Sequence, residues 1–218
     1  MSDPVIVSAF RWVPDFAQGF VRDFRVRWAL EEAGEAYATN RLDATSARPP
    51  AYLEEQPWGQ VPAYREDKLA MFESGAIVLH IGERCPALLP TDPNGRARAQ
   101  SWAFAALNSV EPAVAQLSEI DIFHKGEAWT VERRPQVIDK IRARLDGLAA
   151  RLGDRDYLEG SFTAGDLLMI DVLRSLENSG VLADYPTLSA YKDRGKARPA
   201  FARAMAAQMA DFEQMAAA

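Results

Sequence analysis

GQVPAYREDKLAMFESGAI, running from Gly59 to Ile77, decides how the first part of this 218-residue chain is read. Val61 to Arg65 and Leu69 to Phe72 are short and largely apolar, with the polar turn Glu66-Asp67-Lys68 between them, so the stretch reads as a β-hairpin. Pro62 lies at the opening of the first strand, where a residue without an N–H belongs. With a trans Val61–Pro62 bond the proline simply starts that strand. With a cis bond Val61 turns its N–H and C=O outward, where a peptide-like ligand can add as a further strand. The hairpin runs into Phe72-Glu73-Ser74-Gly75. Ser74 suits the N-cap of a following helix, and the N–H groups of a helix start bind carboxylates. Glu73 beside it suits an ammonium group. A ligand carrying both groups, such as an α-amino acid terminus, satisfies the pair, while Ser74 as a cap alone needs no ligand.

Upstream, Val5 to Phe10 reads as a short apolar strand, and Arg11 to Gly19 as a loop. Phe20 to Ala33 reads as a helix, with Val21, Phe24, Trp28 and Ala29 on one face and Gly34 placed for a left-handed C-terminal cap. Ala36 to Leu42 reads as a second strand, Pro49 to Glu55 as a short helix, and Ser74 to Arg84 as a third helix. The order is β-α-β-α-β-β-α. Cys85 to Pro93 reads as a linker, since three prolines and a glycine fall within residues 85–95. Beyond it the pattern is helical: Arg96 to Leu117, bent at Pro112, then Thr130 to Leu152, Thr163 to Leu182, Thr187 to Arg198 and Pro199 to Met215. The expected domains are therefore residues 1–84 and 94–218, joined by 85–93, in an α+β chain with an all-α second half. Thr163 with Asp166 reads as a capping box, with Phe162 and Leu167 as its hydrophobic staple.

Composition narrows the function. The chain is 48% apolar and 26% charged, with a net charge of −6. Residues 1–84 carry 9 basic and 13 acidic side chains, leaving 16 and 18 for the rest, so neither half suits nucleic acid. No apolar run is long enough for a membrane helix, and the start lacks the pattern of a secretory signal, so a cytoplasmic protein is expected. A single cysteine, Cys85, and two distant histidines, His80 and His124, give no internal disulfide and no zinc-type cluster, so no metal is expected. Arg22, Arg25 and Arg27 crowd the first helix, either on a solvated face or meeting an anion. From Ala9 to Ala36 there is no Ser, Thr, Tyr, Cys or His.

Taken in order, these pieces resemble the glutathione transferase superfamily over nearly the whole chain. The resemblance rests on Arg27-Trp28-Ala29-Leu30-Glu31-Glu32-Ala33-Gly34, on Gly59-Gln60-Val61-Pro62, and on Phe72-Glu73-Ser74-Gly75-Ala76-Ile77. It continues in Tyr157-Leu158-Glu159-Gly160 with Phe162-Thr163-Ala164-Gly165-Asp166, in Tyr185-Pro186-Thr187-Leu188, and in Arg198-Pro199-Ala200-Phe201. It implies a thioredoxin-like first domain, a helical second domain, glutathione as co-substrate, a small hydrophobic electrophile as its partner, and a homodimer. It implies that Val61, beside a cis Pro62, pairs with the cysteinyl backbone, that Glu73 and Ser74 hold the γ-glutamyl end, and that Gln60 lies near the glycyl end.

The chain departs from the family at the position that activates the thiol. Counted back from Val26-Arg27, the Ser or Cys position of several classes falls at Phe20, and that of another class at Arg22. Ser8 falls inside the first strand. The chain resembles a bacterial class, called eta, that lacks those side chains and uses a Phe and its neighbours at this helix start. Phe20 and Arg22 are therefore the catalytic candidates. Trp12 and Phe16 are candidates for a second-substrate pocket, or for packing against the second domain. The implied activity is glutathione conjugation, with peroxide reduction beside it. The alternatives are a glutathione-dependent isomerase or dehalogenase, and a non-catalytic binder or scaffold of the same fold.

Overall fold

A computed structural model of the chain describes residues 4–213. Residues 4–88 together with 197–213 form one compact unit, and residues 89–196 a second.

The first unit is built on a four-stranded sheet of order β2-β1-β3-β4. The strands are β1 (Val5–Phe10), β2 (Tyr37–Leu42), β3 (Ala63–Glu66) and β4 (Leu69–Phe72). β1 runs parallel to β2, which requires the crossover helix α1 (Asp23–Ala33), and β3 and β4 run antiparallel. Helices α2 (Pro50–Glu55) and α3 (Ser74–Gly82) complete the βαβαββα order of a thioredoxin-like domain. Val7, Ala9, Trp28, Leu30, Tyr64, Ile77, Val78 and Ile81 form much of its core. Gly34 ends α1 at φ +69, and its N–H reaches the carbonyl of Leu30, as the sequence suggested.

Register decides which loops meet. Val7 pairs with Tyr64 and Phe10 with Leu42, while Ala63 pairs with Phe72. The end of β1, the start of β3 and the end of β4 therefore share one end of the sheet. The loop after β1, the Val61–Pro62 peptide and Glu73–Ser74 all emerge there.

Two details of this unit correct the sequence reading. Helix α1 starts at Asp23 rather than Phe20, because Phe20 N–H bonds to Ala17 C=O and Phe24 N–H to Val21 C=O as separate turns. Helix α9 (Pro199–Glu213), expected with the helical domain, belongs to the first unit. The ring of Phe201 meets Phe24 and Trp28 edge-on, with both centroids 5.0 Å away. Arg198 binds Glu32 with two hydrogen bonds, and Arg203 binds Glu31. Residues 214 and 215, read as the end of that helix, lie outside the described residues.

The second unit is helical. α4 (Pro93–Phe104) opens on Asp92, whose carboxylate accepts from Gly95 N–H at 2.7 Å. It widens into a π-helical segment over Ala105–Val110 before α5 (Glu111–Ser118), and a second π segment spans Glu119–Phe123. Pro112 explains the first: it has no N–H to give and its ring displaces the carbonyl four residues back. α6 (Ala128–Leu152), α7 (Ala164–Arg174) and α8 (Pro186–Lys196) follow. Helix α7 stops eight residues before the expected end, at turns leading into Gly180. Asp166 bonds to Thr163 N–H as the capping box requires, and also accepts from Leu158 N–H and the Tyr191 hydroxyl. Among the described residues no helix is long and apolar enough to cross a membrane.

Candidate functional site

At the shared end of the sheet, the Val61–Pro62 bond is cis. Val61 is buried, and its main-chain N–H and C=O make no hydrogen bond among the described residues. Buried main-chain polar groups are nearly always paired, so an unpaired donor and acceptor side by side are a fitting for an added strand. Gln60 before it is exposed.

Glu73 stands next to this edge at φ +69, a left-handed conformation that a residue with a Cβ adopts at a cost. It is Glu73, not Ser74, that occupies the N-cap of α3, and its carbonyl takes the Ile77 N–H at 3.0 Å. Ser74 is therefore the first residue inside the helix. Its hydroxyl accepts a 3.4 Å hydrogen bond from Arg25 Nη1 instead of capping. Glu73 is exposed while Ser74 and Arg25 are buried. A carboxylate-bearing ligand would thus find a helix start with a guanidinium behind it.

The loop after β1 carries the remaining candidates. Val13 is buried and anchors it, and Gln18 Nε2 donates to the Val13 carbonyl at 3.2 Å. Trp12, Phe16 and Phe20 stand on this loop 38%, 51% and 41% exposed, unlike the fully buried aromatics of the core. Arg22 is exposed immediately before α1. Register and chain order place all nine candidates, Trp12, Phe16, Phe20, Arg22, Gln60, Val61, Pro62, Glu73 and Ser74, on segments leaving the same end of one sheet.

The three arginines do not form one solvated face. Only Arg22 is exposed. Arg27 is buried between two carboxylates, with Nε 2.7 Å from Asp23 and Nη2 2.5 Å from Asp211 of α9. Gln208 of α9 donates to Asp23 at 2.8 Å and to the Val21 carbonyl at 3.1 Å. Burial pushes the Asp23 carboxyl above its ordinary value, against the pull of Arg27 and Gln208. The turn that feeds α1 is thus held from the far end of the chain. Sequence reasoning missed this because the partners are 184 or more residues apart.

Ser8 is no substitute for the missing hydroxyl. It is buried in β1, where its oxygen accepts from Ala63 N–H at 2.6 Å and lies 2.7 Å from the Tyr52 hydroxyl. Cys85 is buried against the Glu32 carbonyl. Among the described residues no group of three His, Cys, Asp or Glu is placed to hold a metal ion.

Residues 17–83 match the family model for the glutathione S-transferase N-terminal domain. A glutathione S-transferase from Hyoscyamus muticus is 31% identical over 160 residues, covering 68% of this chain and 75% of that protein. The maleylacetoacetate isomerase of Pseudomonas aeruginosa is 28% identical over 197 residues, covering 86% of this chain and 92% of that protein. A Burkholderia graminis glutathione transferase, solved with two glutathione molecules per subunit, superposes with a TM-score of 0.80 at 23% identity, covering 93% of this chain and 87% of that one. The chain belongs to the glutathione S-transferase family, and its two-part fold is that of the family.

Proposed function

We propose that this chain is a glutathione transferase that joins the glutathione thiolate to small hydrophobic electrophiles, with reduction of organic peroxides as a second activity. The observation that carries the reading is the unpaired main chain of Val61, at the same sheet end as the Glu73–Ser74 helix start. In this reading Val61 pairs with the cysteinyl residue beside Pro62. Glu73 and Ser74 take the ammonium and carboxylate of the γ-glutamyl end, and Gln60 meets the glycyl end. Trp12 and Phe16 offer exposed rings to the second substrate. The protein acts as a cytoplasmic homodimer and uses no metal.

The chemistry needs a thiolate, and a free thiol near pKa 8.5 is only a few per cent ionised at neutral pH. Lowering that value by about two units takes roughly 3 kcal/mol of preference for the anion. No hydroxyl, thiol or imidazole lies between Ala9 and Ala36 to supply it. The main-chain N–H groups of Val21 and Arg22, at the mouth of α1, are a source worth up to ~2 kcal/mol. The Arg22 guanidinium supplies the rest, and Phe20 keeps water from the sulfur. Asp23 opposes this field only in part, because Arg27, which it shares with Asp211, and Gln208 both bind its carboxylate.

Titrating the thiolate absorbance of bound glutathione tests the reading. The wild type is expected to ionise well below the free thiol, and Arg22→Ala to ionise at higher pH. An unchanged value in Arg22→Ala removes Arg22 from the mechanism, and a wild-type value near 8.5 removes activation at this helix altogether. The likeness to maleylacetoacetate isomerase over 86% of the chain favours isomerisation as the second reading. The absent hydroxyl favours a binder without turnover as the third. Retention on immobilised glutathione, followed by turnover with an aryl halide, an organic hydroperoxide and a cis-enone, separates all three.

A further inference from the structure

The Gln60–Val61 edge is held from inside by a hydrogen-bonded chain that the candidate site itself does not include. Tyr52, on α2, is buried, and its hydroxyl lies 2.6 Å from the Gln60 carbonyl. A carbonyl only accepts, so the single Tyr52 proton is committed to Gln60. The Ser8 hydroxyl, 2.7 Å from the Tyr52 oxygen, must then be the donor in that contact. The Ser8 oxygen in turn accepts the Ala63 N–H at 2.6 Å. Proton bookkeeping leaves one arrangement: Ala63 N–H to Ser8, Ser8 O–H to Tyr52, Tyr52 O–H to Gln60. Burial raises the Tyr52 phenol above its ordinary value, so it keeps the proton it donates. The two ends of this chain bracket Val61 and Pro62, at Gln60 and Ala63. Arg48 secures the preceding residue, with Nε 2.8 Å from the Gly59 carbonyl. Its other nitrogens bind the Asp43, Ser46 and Ala44 carbonyls.

We infer that Tyr52, with Ser8 behind it, is a positioning residue for glutathione: it fixes the Gln60–Val61 main chain so that Val61 presents its N–H and C=O to the tripeptide. This rests on the glutathione reading of the same site. Neither hydroxyl has a proton to spare for the sulfur, so their effect falls on binding rather than on the reacting bond. A neutral hydrogen bond lost at this point corresponds to a roughly five- to tenfold change in affinity.

The test uses Tyr52→Phe, Ser8→Ala, their double variant and Ser8→Thr in the full chain. Calorimetry gives the glutathione Kd, and steady-state rates with an aryl halide give KM and kcat. Hydrogen exchange of residues 57–64 without ligand gives the order of the loop. Tyr52→Phe is expected to raise Kd and the KM for glutathione about five- to tenfold while kcat changes less than about twofold. Exchange at Gly59 and Ala63 should quicken. Ser8→Ala should act in the same direction, Ser8→Thr should recover most of the loss, and the double variant should be no worse than the more damaging single one. An unchanged Kd in Tyr52→Phe overturns the inference, whatever the exchange shows, and so does full additivity in the double variant. If the wild type binds no glutathione, the functional reading fails on that result alone. The inference that Tyr52 fixes this loop then stands or falls on the exchange: faster in Tyr52→Phe upholds it, unchanged refutes it.

Discussion

Replacing Arg27 by methionine removes the cation that buried Asp23 and part-buried Asp211 share while keeping most of the side-chain volume. Arg27 is 1% exposed, Asp23 is 1% exposed and the Asp211 side chain 15%. Taking one partner from such a group leaves the others charged and desolvated, at a cost of about 3–5 kcal/mol. For a chain of this size each kcal/mol moves Tm by roughly 2–4 °C, so Arg27→Met should melt ~6–20 °C lower. The loss should depend on pH. Burial already raises the folded-state pKa of Asp23, and without Arg27 the main opposing pull is gone. A carboxyl raised in the folded state favours folding most below its unfolded pKa, and that advantage is lost as pH rises through the folded value. The deficit of Arg27→Met against wild type should therefore be largest near neutral pH and shrink towards about pH 4. Adding Asp23→Asn should recover part of the loss. Because Gln208 joins Asp23 to the Val21 carbonyl, Arg27→Met should also weaken glutathione binding at the α1 mouth. Urea unfolding by circular dichroism at neutral and acid pH is the assay. A deficit below about 1 kcal/mol, or one independent of pH, would refute the reasoning.

Three other perturbations have defined outcomes. Gly59→Ala puts a Cβ 3.1 Å from Arg48 Cγ at a residue with φ +64, so it should cost about 1–2 kcal/mol in thermal unfolding and raise the glutathione KM. Glu159 is two-sided: burial pushes its carboxyl up, but hydrogen bonds from Arg151, Trp102 and Arg98 outweigh it and hold it below the ordinary value. Its contribution is present above the usual glutamate pKa and lost as pH falls through the lowered one. Glu159→Gln should therefore cost ~1–3 kcal/mol at neutral pH and little in urea melts well below about pH 4. Asp166→Ala strips the partners from Leu158 N–H, Thr163 N–H and the Tyr191 hydroxyl in a fully buried setting, and should lower stability by about 3–5 kcal/mol in the same melts.

Local patterns carried most of the architecture into the sequence. The hairpin from Val61 to Phe72, the cap at Gly34 and the box at Thr163–Asp166 each depend on residues a few positions apart, so spacing alone betrays them. The start of α1 misled because Phe20 and Val21 continue the apolar character of the helix behind them, although they lie in separate turns. Ser74 misled because a serine before an apolar run is the ordinary sign of a cap, whereas Glu73 takes that place at positive φ. The domain to which α9 belongs was hidden for a different reason. Its attachment is made by Arg198, Arg203, Gln208 and Asp211 reaching residues of α1 and its preceding turn, and no local pattern marks pairs so far apart. Ser8 did leave a trace: a hydroxyl inside the apolar strand Val5–Phe10 asks for a buried partner, and Tyr52 supplies it.

The most direct test of thiol activation without a hydroxyl is a crystal structure with glutathione bound. The sulfur should lie within about 3.5 Å of the N–H of Val21 or Arg22, with the Phe20 ring beside it and no side-chain hydroxyl in reach. A sulfur held by a serine or tyrosine, or glutathione bound away from Val61 and Ser74, would contradict it.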